Sequence, residues 1–155
     1  MSTEHLMRKA LDTLNELDGP LSVEAIHSLV DLGDVDAPLT IAEAADVLGV
    51  SAHTLRYYER IGLLRVDRDP VGNRIYDSAA MRRLVFLTRM RLSGMAIRDL
   101  HHYVSLVDAG DGTVDERLDM LLEHRDTIRR QIAELTLSLA ATEYKIATYG
   151  GRTQP

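Results

Sequence analysis

The side chains able to do chemistry in this 155-residue chain crowd into one stretch, and their types suit binding rather than bond-breaking. Ser51, His53, Thr54, Arg56, Tyr57 and Arg60 lie close together, and Arg65, Arg68, Arg74 and Tyr76 follow. A guanidinium can hold a phosphate, or the major-groove edge of a guanine, through two parallel hydrogen bonds. A tyrosine offers its hydroxyl to phosphate and its ring to a thymine methyl. Arg56 and Tyr57 are therefore expected duplex contacts, and His53 and Thr54 are candidates for sequence discrimination. No Ser-His-Asp arrangement, phosphate loop or carboxylate pair occurs in a context that supports catalysis, so an enzyme is not expected. Without cysteine there is no thiolate metal site, cysteine-ligated iron–sulfur cluster, disulfide or thiol switch.

The neighbouring residues specify the elements that must hold this set. Thr40 and Glu43 form a capping-box pattern, and Ile41, Ala44, Ala45 and Leu48 repeat at helical spacing. Gly49 suits a left-handed helix stop, and Ser51 caps the next helix. In that second helix Ala52, Leu55 and Tyr58 or Glu59 share a face, which leaves His53, Thr54, Arg56, Tyr57 and Arg60 to point elsewhere. Gly62 ends it. Two short helices joined by a tight turn are helix-turn-helix punctuation. Thr40 and Ser51, at helix N-termini, add groups that bind phosphate well. Extended pieces at Leu63–Val66 and Asn73–Tyr76 flank Asp69-Pro70-Val71-Gly72-Asn73 and predict a β-hairpin wing, with Arg65, Arg68 and Arg74 on or near it.

A net charge of −6 argues at first against a polyanionic partner. Its distribution argues the other way: residues 51–98 carry ten arginines and four acids, so +6 lies there and −12 elsewhere. A basic segment inside an acidic chain fits one face meeting phosphate, although a merely solvated charged face has the same composition. Hydrophobic residues make up 45%, enough for one domain with an appended helix. No apolar run approaches the roughly 20 residues that span a bilayer, and the N-terminus lacks a secretory pattern. A cytoplasmic location without a membrane partner is expected.

Asp77 or Ser78 caps a further helix to about Leu92, with Met81, Leu84, Val85, Leu87 and Thr88 in its periodic face. Another runs from about Ala96 to Val107, burying Ile97, Leu100, Val104 and Leu106 or Val107, before a loop at 108–112. From Leu118 onward Leu118, Leu121, Arg125, Ile128, Ile132, Leu135, Leu139, Thr142, Ile146 and Tyr149 alternate spacings of three and four. That is a heptad seam with Arg125 and Thr142 as polar interruptions. A helix of about 50 Å cannot bury such a stripe on one small domain, so a second copy is expected to cover it. A helix folded back on its own domain is the alternative.

Before Leu39, Leu6, Ala10, Leu14 and Leu17 mark one amphipathic helix, and Ser22 caps a second containing Val23, Ile26, Leu29 and Val30. This acidic pair is read either as packing on the body or the partner subunit, where it could line a small-molecule pocket, or as a stabilising cap or loose tail. His101, His102 and His124 raise the question of zinc, but adjacent histidines diverge on a helix and no carboxylate completes a ligand set. No metal or cofactor is expected.

Three segments together, TIAEAADVLGVSAHTLRYYERIGLL, GNRIYDSAAMRRLVFLTRMRLSGMAIRDL and the long helix, resemble the MerR family of transcriptional regulators over residues 39–149. The resemblance implies a mainly α fold: a winged helix-turn-helix DNA-binding domain with a small β-hairpin wing, then a long C-terminal helix forming an antiparallel coiled-coil dimer. It implies the DNA-binding domain at 39–108 and the dimerisation helix at 113–149; the acidic helical extension at 1–38, which the minimal family pattern lacks, and a flexible tail at 150–155 are read from this chain's own residues. It places Arg56 and Tyr57 at the family's recognition-helix contacts, and Arg74 and Tyr76 at its wing contacts. Its implied partners are double-stranded promoter DNA, a second subunit, and RNA polymerase, engaged after the dimer bends and untwists a long promoter spacer. Metal- and oxidant-sensing members use cysteines and drug-sensing members a large further domain. This sequence shows neither, so a small-molecule effector, where there is one, stays unidentified. Ala96 also departs from the family, which usually has a hydroxyl-bearing residue there. Two other classes stay open: an architectural or excisionase-like DNA binder without effector, and a protein-interaction module whose basic face is incidental.

Overall fold

The structure, a computed structural model, describes residues 36–150. The helix pair expected before Leu39 lies outside the described residues. The elements in order are β1 (Leu39–Thr40), α1 (Ile41–Leu48), α2 (Ala52–Arg60), β2 (Asp67–Arg68), β3 (Arg74–Tyr76), α3 (Ser78–Leu92), α4 (Ile97–Ala109), a 3₁₀ turn (Asp111–Thr113) and α5 (Val114–Thr148). They form two compact units that divide inside α4, between His101 and His102.

In the first unit the helix ends are set by local chemistry. The Thr40 hydroxyl accepts from the Glu43 amide at 3.2 Å, and the Glu43 carboxylate accepts from the Thr40 amide at 2.8 Å. These reciprocal bonds satisfy amides that have no intrahelical partner. They also hold the Glu43 carboxyl below its usual pKa. Gly49 closes α1 with φ at 66°, which a residue with a Cβ adopts only under strain. Ser51 caps α2 through the Thr54 amide, and Asp77 caps α3 through the Ala80 amide at 2.8 Å. Replacing Asp77 with Ala should lower unfolding stability by about 1 kcal/mol, read from the urea midpoint at unchanged slope.

The core is built from α1, α2 and α3 with the sheet against them. Ala44, Ala45 and Leu48 from α1 meet Leu55 and Tyr58 from α2, and Met81, Leu84, Val85, Leu87 and Thr88 from α3 are buried as their spacing predicts. Tyr58 thus belongs to the core. The Thr88 hydroxyl, buried among apolar groups, donates to the Leu84 and Val85 carbonyls.

The sheet differs from the predicted hairpin in two respects. Its order is β1-β3-β2, with both pairings antiparallel, so β1 joins the wing from the start of the domain. The first wing strand begins at Asp67 rather than within Leu63–Val66, because Leu63 and Leu64 are buried in the core directly after the helix stop. The turn is held by Asp69, whose carboxylate accepts from the amides of Val71 and Asn73 and from the Asn73 side chain. The Asn73 amide above all keeps the Asp69 pKa below its usual value.

In the second unit Gly110, at φ 100°, breaks the helical path, and the Thr113 hydroxyl ties the turn to the Leu106 and Gly110 carbonyls. The 35-residue α5 then spans about 50 Å. Along it Leu118, Ile132, Leu135, Leu139, Ile146 and Tyr149 are exposed in the single chain, Leu135 at 69% and Tyr149 at 82%. His124 is buried, and His102 Nε2 lies 3.2 Å from the Glu116 carboxylate. Among the described residues no helix is long and apolar enough to cross a membrane.

Candidate nucleic-acid interface

α2 separates its residues cleanly. Leu55 and Tyr58 point into the core, while His53, Arg56, Tyr57 and Arg60 recur at i, i+3, i+4 and i+7, the spacing of a single helix face. His53, Arg56 and Arg60 are exposed and Tyr57 is half-buried. The Arg60 guanidinium lies over the Tyr57 ring at 5.4 Å, a cation–π contact that holds both on this face. Thr54 is half-buried, and its hydroxyl lies 2.9 Å from that of Ser51, so both are tied to the N-terminal cap of α2. Thr40 is exposed at the cap of α1.

The wing brings more charge to the same unit. Arg68 stands directly opposite Arg74 across the β2–β3 pair. Glu59, at the end of α2, lies between them: its Oε2 accepts from Arg74 Nε at 2.6 Å and its Oε1 from Arg68 Nη2 at 2.8 Å. Arg65 is exposed on the segment leading to β2.

Tyr76 lies elsewhere than on the wing surface. Its ring is fully buried at the end of β3, and its hydroxyl has no hydrogen-bond partner among the described residues. Burial pushes its pKa up; Arg74, Arg56 and Arg68 oppose the shift and Glu59 adds to it. Alternation along β3 puts Tyr76 on the face of Arg74, but β3 packs on α1 and α3, and the ring fills that space. Glu59 and Arg68 are the two residues of this surface that the expected DNA contacts leave out. The signal that could have found Arg68 is its symmetric placement with Arg74 about the turn formers; nothing local marks Glu59, whose role comes from its contacts with both.

Comparison with known proteins identifies the family. The model of the MerR HTH family regulatory protein matches residues 39–106, and that for MerR, DNA binding, matches residues 81–141. An uncharacterised HTH-type transcriptional regulator of Haemophilus influenzae is 38% identical over 111 residues, covering 71% of this chain and 82% of the relative. The chain belongs to the MerR family. A mercuric resistance operon regulatory protein of Bacillus cereus is 32% identical over 96 residues, covering 61% of this chain and 73% of its own. The crystal structure of HiNmlR, described as a MerR family regulator lacking the sensor domain and bound to promoter DNA, aligns with a TM-score of 0.68. It is 37% identical, covering 73% of this chain and 90% of its own. This MerR-family chain is therefore a DNA-binding transcriptional regulator, not an enzyme, and its fold is the mainly helical winged helix-turn-helix with a long C-terminal helix.

Proposed function

We propose that this regulator acts as a homodimer on promoter DNA, with α2 of each subunit in a major groove and the wing against the adjacent backbone. The observation that carries this reading is the basic face His53–Arg56–Tyr57–Arg60, continued by the wing arginines. Arg56, Tyr57, Arg60, Arg65 and Arg74 are its positioning contacts, Ser51 and Thr40 add phosphate contacts, and His53 and Thr54 discriminate bases. The buried ring of Tyr76 supports the wing from beneath.

The exposed seam of α5 supports the dimer. A stripe of this length at a repeat of three and four is what a second α5 covers, with Arg125 and Thr142 specifying register. In this reading residues 39–108 form the DNA-binding domain, 113–149 the dimerisation helix, and 1–38 and 150–155 the flanking segments. Two recognition helices linked in this way engage consecutive turns of one duplex. Bending the spacer between promoter hexamers costs a few kcal/mol, which several charge-assisted phosphate contacts offset, and the remodelled promoter is then engaged by RNA polymerase. The sequence offers no cysteine through which an effector could act.

Duplexes enriched by the purified protein from a random pool give the test. The enriched site should be palindromic, and its affinity should fall by about 0.9 log units per log unit of salt for each phosphate contact. Transcription from a promoter carrying that site should depend on spacer length. Failure to enrich any duplex, or a flat salt response, would remove this reading.

A further inference from the structure

Glu59 is an acid in the middle of a cationic surface, and its placement has a consequence for how the wing works. Arg68 and Arg74 face each other across β2 and β3, and like charges directly opposite on a strand pair repel. The Glu59 carboxylate takes one hydrogen bond from each, so a single acid cancels that repulsion and ties the hairpin to the last turn of α2. The bonds use Nε of Arg74 and one terminal nitrogen of Arg68; the two terminal nitrogens of Arg74 lie outside the pair. The trio keeps a net charge of +1. Side-chain exposures of 42% for Arg68 and 28% for Arg74, beside 23% for Glu59, leave both arginines partly open to solvent. Charged hydrogen bonds from a planar guanidinium restrict its orientation as well as its position.

We infer that Glu59 is a positioning residue for DNA binding, its carboxylate holding Arg68 and Arg74 together so that the wing meets the phosphate backbone already oriented. This rests on the duplex-binding reading above. Glu59 acts through the two arginines and touches no nucleotide. Removing its charge raises the local positive charge by one, which taken alone would favour DNA; the positioning role predicts the opposite sign.

The test measures duplex affinity by fluorescence anisotropy across a salt series for the full chain, Glu59→Gln, Arg68→Ala/Arg74→Ala, and the triple variant. Glu59→Gln should weaken binding about tenfold, with a salt slope shallower by about one phosphate contact. In the Arg68→Ala/Arg74→Ala background the same change should alter affinity by less than about twofold, because the interaction it removes is already gone. Circular dichroism checks folding. If Glu59→Gln does not fold, Glu59→Asp replaces it: the charge remains but the shorter side chain cannot reach both arginines, and weakening is again expected. Unchanged or tighter binding by the substituted protein, or equal weakening in both backgrounds, overturns the role of Glu59. Wild-type affinity in the Arg68→Ala/Arg74→Ala protein instead points to failure of the wing contact itself.

Discussion

Replacing Leu135 and Leu139 together with Asp is expected to leave the protein monomeric and to lower its affinity for a two-half-site duplex by roughly a hundredfold or more. Both side chains are exposed in the single chain and occupy successive positions of the α5 seam. In a paired coiled coil each buried leucine contributes about 1.5–3 kcal/mol, and the double substitution would place four carboxylates in one low-dielectric interface. The weaker DNA binding follows without any change at the protein–DNA surface. Linked recognition helices make the second half-site an intramolecular event, and a monomer lacks that advantage. Sedimentation velocity reads the assembly and anisotropy reads the binding. A variant that stays dimeric, or a wild-type chain that sediments as a monomer at micromolar concentration, would contradict the assignment of the seam. Circular dichroism of the variant should still show a folded DNA-binding unit, because the seam residues make no part of that core.

Arg56→Ala is expected to act on the other side of the mechanism. Arg56 is exposed on the α2 face opposite Leu55 and Tyr58, so its removal leaves the core intact. Deleting one bidentate guanidinium from each half-site weakens binding there by about 2 kcal/mol, and two half-sites multiply this to roughly a thousandfold. The pattern of weakening identifies the target. A phosphate contact would weaken all duplexes alike and flatten the salt slope; a guanine contact would relax selectivity at one position of each half-site and leave the slope nearly unchanged. The variant should sediment like the wild type. Affinity within about twofold of the wild type on the enriched duplex would show that this face of α2 is not the reading surface.

Much of the DNA-binding unit is legible in the sequence because it depends on signals only a few residues apart. The Thr40–Glu43 capping box, the Gly49 stop and the Ser51 cap form in the structure as their spacing predicts. The buried face of α3 contains the residues its periodicity names. The wing is less legible. A strand of two or three residues has too little length for alternation to set its boundaries, and Leu63 and Leu64 read as extended when they are core residues.

Composition and spacing by themselves determined the helices, the segregation of arginines into residues 51–98 and the unbroken heptad of α5, since each is a local or periodic property of the chain. Tertiary structure decided which polar groups meet. Pairing of β3 with both β1 and β2 carries Tyr76 beneath the helices and sets Arg68 opposite Arg74 within reach of Glu59. The β1–β3 pairing and the Glu59 contacts join separate elements, and packing rather than any local preference selects among their alternatives.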